Sequence, residues 1–189
     1  MTFHLKKAAG KIKIILSDLD GVFTDGTIYK GSDGIELKRF SVLDAAGVAL
    51  VRAAGIRMAI ISGRYSPATD VRVMEMGLEK DCYQGNLNKM DAYYELRSKY
   101  DFSDEEAAFI GDDIIDLTIM ETVGLPIAVA NAHPRAKQIA KYTTQARGGE
   151  GAVREAVEMI LESKGIYESA LERVRQRTSD GKDDLVHDE

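Results

Sequence analysis

The feature that most restricts the fold is an alternation. Short apolar runs recur along the chain, IKIILS (12–17), IRMAIIS (56–62), AAFI (107–110) and PIAVA (126–130), with helical apolar spacing between them. Each run has the length of one buried strand and is far too short to span a membrane. Strands joined by helical crossovers pair in parallel, so the expected class is α/β: a Rossmann-like, doubly wound parallel sheet flanked by helices. Helices are expected over 45–54, N-capped by Asp44 and closed by Gly55, from Ser66–Pro67 to Gly77, over 88–100, 114–123 and 151–164, with a short strand at 81–84. His133 before Pro134 marks a further helix start.

One segment departs from the pattern. TIYKGSDGIELKRF (27–40) places Gly31, Ser32, Asp33 and Gly34 between two extended runs, which reads as a protruding β-hairpin. Between Asp18 and Ser62 only that hairpin and one helix fit, and between Ser62 and Lys89 only one helix and a short strand. No cap domain is therefore expected.

With 189 residues and 44% apolar content the chain can bury one proper core, so 1–165 is read as a single domain. Residues 166–189 are read as a C-terminal extension, partly disordered, in which YESALERVRQR is a loose helix and the polar stretch from Thr178 has little to bury. The balance of 25 Lys+Arg against 31 Asp+Glu argues against a nucleic-acid partner, and no segment suits a membrane. A lone cysteine, Cys82, expected in the core, and an N-terminus without a signal-peptide pattern point to the cytoplasm.

In open parallel sheets ligands collect at the carboxyl ends of the strands. Asp18 and Asp20 follow the first run, Ser62, Gly63 and Arg64 the second, and Asp112 and Asp113 the third. Several carboxylates at one edge repel one another unless a cation holds them, and Mg²⁺ is the natural oxygen-liganded partner. A site of this kind handles phosphate.

These residues carry a resemblance. DLDGVFTD (18–25), Ser62, Lys89 and GDDIID (111–116) match in order and placement the four motifs of the haloacid dehalogenase-like phosphatases, and the likeness covers about 11–164. It implies a Mg²⁺-dependent phosphomonoester hydrolase in which Asp18 attacks phosphorus and forms an aspartyl phosphate. It also implies that Asp18, the Asp20 carbonyl and Asp112 bind the metal. Asp20 protonates the leaving oxygen and then activates water, while Ser62 and Lys89 bind the transferring phosphoryl group. Asp113 and Asp116 are expected to orient the metal shell and Lys89. An ordinary carboxyl group has lost its proton at neutral pH, so Asp20 needs favourable surroundings or a substrate that brings the proton. The plainer readings stay open: Asp25 as a turn residue, Asp116 as a helix-start residue, RGGEG (147–151) as a connecting loop.

The set DGTIYKGSDGIELKRF, ISGR, YQGNLNK, GDDIIDLTIME and GGEGAVRE is similar to a capless branch, the 3-deoxy-D-manno-octulosonate 8-phosphate phosphatases and their relatives acting on nine-carbon ulosonate 9-phosphates. This branch implies a sugar phosphate substrate and a homo-oligomer, a tetramer, in which hairpins join and a neighbour's segment, RGGEG or the tail, closes the site. Gly63, Arg64, Arg72, Asp20 and Lys89 match substrate-binding positions. Leu43 and Ala49 depart from it, since basic residues are expected there, so the nine-carbon substrate stands as an alternative. A non-catalytic oligomerisation module of the same fold is the second alternative, against which Asp18, Asp20, Lys89 and Asp112 all speak.

Overall fold

The computed structural model describes residues 2–179. In chain order the elements are α1 (Phe3–Gly10), β1 (Ile14–Ser17), β2 (Thr24–Lys30), β3 (Glu36–Phe40), α2 (Val42–Ala53), β4 (Arg57–Ser62), α3 (Pro67–Glu75), β5 (Cys82–Gln84) and α4 (Lys89–Tyr100). There follow β6 (Ala107–Gly111), α5 (Leu117–Thr122), β7 (Leu125–Ala128), α6 (Pro134–Ile139), β8 (Tyr142–Thr143), α7 (Ala152–Lys164) and α8 (Tyr167–Ser179).

Six strands form one parallel sheet in the order β5-β4-β1-β6-β7-β8. β1 lies at its centre, with Ile14 in register with Arg57 on one side and Ala107 on the other. All four of its residues are buried, as a strand covered on both faces requires. Helices α1, α2, α7 and α8 pack on one another, and α4, α5 and α6 form a second group. The strand order reverses between β1 and β6, so the crevice there is the place where such a sheet binds ligands. The hairpin β2–β3 is a separate two-stranded sheet, and no cap domain interrupts the fold.

Several local expectations are corrected. The cap of α2 is Ser41, whose Oγ accepts from Leu43 N at 3.1 Å. Asp44 instead lies within the first turn of α2, 1% exposed, and its carboxylate accepts from Gly151 N at 3.2 Å and Val153 N at 2.9 Å. It therefore satisfies donors at the start of α7, where an anion is favoured by the helix dipole. Gly47 makes the approach possible, because a Cβ there would stand 2.9 Å from Arg154 Cα.

The helix expected over 114–123 is a short 3₁₀ turn, Ile114–Asp116, followed by α5. Helix α1 and the two-residue edge strand β8 have no distinct sequence pattern. Cys82 is half-buried on edge strand β5, and burial pushes its thiol up to about 12. The segment read as a loose extension is α8, which docks on α2 and α7 through buried Ala170 and an Arg173 Nη1 bond to Ala53 O at 2.9 Å. The disorder expected beyond it, over 180–189, lies outside the described residues.

Candidate active site

The end of β1 delivers Asp18, held by a 2.9 Å bond from its N–H to Ile110 O of β6, so the two loops at the switch point are tied together. Asp18 is buried, and its Oδ1 meets Lys89 Nζ at 2.7 Å. Lys89 is the first residue of α4 and is buried as well, its ammonium also meeting Asp116 Oδ1 at 2.6 Å. Burial opposes a charged Lys89, but the Asp18 and Asp116 carboxylates outweigh it and the ammonium is held above its ordinary range.

Asp116 is fully buried, and both its oxygens are engaged: Oδ1 by Lys89, Oδ2 by Asp112 N at 2.9 Å and Asp113 N at 3.2 Å. The helix-start reading of Asp116 is thus only part of its situation. Asp113 is exposed and its Oδ1 accepts from Ile114 N at 2.7 Å, capping the turn.

Asp112 is different, because its buried Oδ1 has no hydrogen-bond partner. Burial, then the charges of Asp18, Asp116 and Asp113, push its carboxyl up to about 8. Burial and the Asp116 charge likewise raise Asp18 to about 6, against the opposing pull of Lys89. Ligand oxygens of Asp18, Asp112 and Asp116 lie within 4.8 Å of one another. With all three carboxylates ionised against one ammonium, two negative charges would lack a counterpart, the charge of one divalent cation. With Asp116 fully engaged, Asp18 and Asp112 are the side chains with capacity to bind it, and their oxygen character suits Mg²⁺.

Backbone packing fixes these positions. Gly21, at φ +96°, would place a Cβ 2.1 Å from Asp112 Oδ2, so the two loops approach as only glycine allows. Gly148 in turn would place a Cβ 1.6 Å from Gly21 O, and Gly149 N donates to Val22 O at 2.8 Å. Gly148 and Gly149 of the RGGEG loop are therefore pressed onto the loop after β1 of the same chain, while Arg147 and Glu150 stay exposed. Glu150 pairs with Arg39 of the hairpin at 3.4 Å.

The remaining residues singled out in the sequence lie in two further places. Asp20 faces the hairpin, where Lys38 Nζ stands 2.7 Å from its Oδ1 and 2.9 Å from its Oδ2. Ser62 is buried at the end of β4, with its Oγ donating to Arg64 O at 3.0 Å and accepting from Arg64 N at 3.3 Å, so the hydroxyl shapes the turn. A Cβ at Gly63 would come 2.9 Å from the Leu87 side chain, which keeps the turn close to the loop before Lys89.

Arg64 makes a two-pronged pair with Glu36 of β3: its Nη1 donates to Oε1 at 2.6 Å and its Nη2 to Oε2. Ser66 Oγ adds a bond to Glu36 at 2.7 Å, and together they pull that carboxyl down to about 2. Arg72 lies apart, paired with Glu75 at 2.8 Å and 5.9 Å from the Phe40 ring, with a buried Nε that has no partner. Asp25 lies in β2 at its register shift, accepting from Thr27 N at 2.9 Å and pairing with Arg39 at 2.8 Å.

Sequence reasoning missed Glu36, Lys38 and Thr69. A signal existed in ELKRF (36–40), where strict alternation sets Glu36, Lys38 and Phe40 on one face and exposes Leu37 and Arg39 on the other.

Comparison with known proteins agrees with this geometry. A family model described as haloacid dehalogenase-like hydrolase matches residues 79–156. The 3-deoxy-D-manno-octulosonate 8-phosphate phosphatase KdsC of Salmonella typhi is 40% identical over 167 residues, 88% of each chain. Its namesake from Escherichia coli (strain K12) is 41% identical over 162 residues, 86% of each chain. The crystal structure of the Yersinia pestis phosphatase of that name gives a TM-score of 0.86 at 39% identity, covering 89% of this chain and 90% of its own. That of the Moraxella catarrhalis enzyme, in complex with magnesium ion, phosphate ion and KDO, gives 0.87 at 34% identity, covering 91% and 98%. The buried carboxylates at the β1–β6 switch point, the missing cap and this likeness along most of the chain agree, and the chain belongs to the haloacid dehalogenase-like hydrolases, in the capless branch that these relatives represent.

Proposed function

We propose that this chain hydrolyses the phosphate monoester of a sugar acid, 3-deoxy-D-manno-octulosonate 8-phosphate, through an aspartyl phosphate on Asp18. The observation that carries the reading is the buried Asp18, set between Lys89 and a partnerless Asp112 oxygen. Asp18, the Asp20 carbonyl and Asp112 would hold Mg²⁺, which when bound supplies positive charge to the phosphoryl oxygens and screens the nucleophile from the phosphate.

The chain's own residues do the rest. An Asp18 oxygen bonds to phosphorus as the bond from phosphorus to the sugar oxygen breaks, and Asp20 delivers a proton to that oxygen. The proton that Asp20 passes on arrives with the substrate's phosphate. Water then attacks the aspartyl phosphate and gives a proton back to Asp20. Lys89 and Ser62 offer donors to the transferring oxygens, and Asp116 keeps Lys89 in place. Asp113 supports the turn that presents Asp112. Gly63, Arg64 and Arg72 belong to the sugar-acid side, where Arg64 already shows its capacity for a carboxylate by gripping Glu36.

The assembly belongs to the same proposal: a cytoplasmic homo-oligomer, a tetramer, built on the hairpins. Tyr29, Ile35 and Leu37 are exposed on the hairpin, with Val42 just beyond it, an apolar surface on a free strand edge. We take 1–165 as the catalytic domain and α8 as an addition docked on it. Among the described residues no helix is long and apolar enough to cross a membrane.

A panel of sugar phosphates assayed with Mg²⁺ and with EDTA tests the function. Mg²⁺-dependent turnover led by the octulosonate 8-phosphate is the expected result. A nine-carbon ulosonate 9-phosphate is the competing arm, because exposed Leu43, lying over Gly151, offers no cation to a small dianion. Preference for that substrate overturns the substrate assignment. Failure to hydrolyse any phosphate favours a non-catalytic oligomerisation module.

A further inference from the structure

We propose that Lys38 of the hairpin is a positioning residue for Asp20, fixing the carboxylate that exchanges a proton with the leaving oxygen. The inference rests on the acid and base roles given to Asp20 above. Lys38 has a side chain with no exposure to water, although it stands on a two-stranded hairpin outside the main sheet. Its ammonium donates to Asp20 Oδ2 at 2.9 Å and to Thr69 Oγ1 of α3 at 3.1 Å, and it stands 2.7 Å from Asp20 Oδ1, a buried oxygen with no hydrogen-bond partner. Thr69 is itself fully buried. The lysine is therefore anchored from α3 and grips Asp20 from the hairpin.

Stability gives no reason for this arrangement. Burying an ammonium is costly, and a buried ion pair returns about that cost, so an apolar residue would seat β3 at least as well. The neighbouring Leu37 is apolar and points outward, 61% exposed. The strand thus turns its charge inward and its hydrophobe outward, against the usual order. A positioning role accounts for the inversion. A short carboxylate on a loop can rotate about two bonds, and proton transfer to the departing oxygen requires one orientation within about 2.6–3.2 Å of it. The bond to Oδ2, with Oδ1 held alongside as an ion contact, restricts rotation of the Asp20 carboxylate before substrate arrives.

Kinetics on two phosphates test the proposal, an alkyl phosphate such as the sugar acid phosphate and p-nitrophenyl phosphate, whose leaving group departs as a stable anion. For Lys38→Met, kcat/KM on the sugar phosphate should fall by about 10²-fold, at the lower end of what general acid catalysis supplies. On p-nitrophenyl phosphate the fall should stay below about tenfold, because little proton donation is needed there. Lys38→Arg should recover part of the loss. In an Asp20→Asn background Lys38→Met should cost nothing further, since a residue acting through Asp20 has nothing left to position.

Equal losses on the two phosphates, or the same loss with and without Asp20, would make Lys38 a structural residue and overturn the proposal. Should Lys38→Met not fold, Thr69→Val answers in its place: it keeps the lysine and loosens its anchor, and an unchanged ratio between the two substrates overturns the idea. The two readings fail separately. An Asp20→Asn enzyme with wild-type sugar-phosphate turnover removes the Asp20 role and this inference with it, whereas an inactive Asp20→Asn beside a fully active Lys38→Met removes this inference alone.

Discussion

Strands β1 and β3 both run into the catalytic edge, and they are built on opposite rules. In β1 all four residues, Ile14 to Ser17, are buried, and the apolar ones hold the sheet together. In β3 the sheltered face carries Glu36 and Lys38, while Leu37 is turned to solvent. The first strand is explained by what it removes from water. The second is explained by which groups it brings to Asp20 and Arg64. Stability and chemistry are thus written in different strands, and the division can be attacked from either side.

The largest effect is expected where the division is least clean, at Asp18, which belongs to β1 by position and to the chemistry by character. Asp18→Asn keeps the volume and removes the nucleophile. Turnover should fall by at least about 10³-fold, roughly 4 kcal/mol of barrier, with the circular dichroism spectrum and sedimentation unchanged. An active mutant would end the covalent mechanism.

Next comes the purely structural side. Ile15, fully buried in β1, should cost about 2–5 kcal/mol when changed to Ala, read as a lower denaturant midpoint. Its folded fraction should keep the same specific activity. A comparable loss of kcat with little loss of stability would erase the contrast with β3.

A third test uses pH. Burial and the neighbouring carboxylates push Asp18 up to about 6 and Asp112 up to about 8 in the folded, metal-free protein, from 3.8 for a free Asp. The folded state therefore binds more protons than the unfolded one between these values, and the contribution of these groups to stability declines as pH rises through them. Mg²⁺ replaces the protons with a charge that does not titrate. The gain in melting temperature on adding Mg²⁺ over EDTA should grow from pH 5 to pH 8.5, and a constant gain would place the metal elsewhere.

The smallest effect on the fold is expected at the outward face of the hairpin. Leu37→Lys should leave the denaturant midpoint within about 0.5 kcal/mol, as for other exposed positions, yet shift sedimentation to a smaller species. An unchanged oligomer would show that the hairpin face is not the contact.

The contrast also explains what could be read from the sequence. Apolar runs gave the four principal strands because burial on both faces leaves a run of Ile, Leu and Val whatever lies around it. The carboxylates at 18, 20 and 112 were legible because they end such runs. Asp44 was misread because its chemistry, a polar residue near a helix start, is local, whereas its partner at Gly151 is more than a hundred positions away. Lys38 was passed over for the same reason: a lysine in a hairpin is usually solvated, and only the fold brings Asp20 to meet it. Helix α8 was undervalued because the buried face around Ala170 is narrow and the rest of the helix is charged.

The contact between Gly148 and Gly21 has a consequence for the order in which the molecule comes into being. The loop that carries Asp18 and Asp20 is made before the surface it packs on, Gly148 and Gly149, which emerges more than a hundred residues later. Strand β1 likewise waits for β6 before both its edges are paired. Contacts of such long sequence separation form late. A growing chain still on the ribosome therefore carries both aspartates with no rigid frame around them until nearly the whole domain has been synthesised.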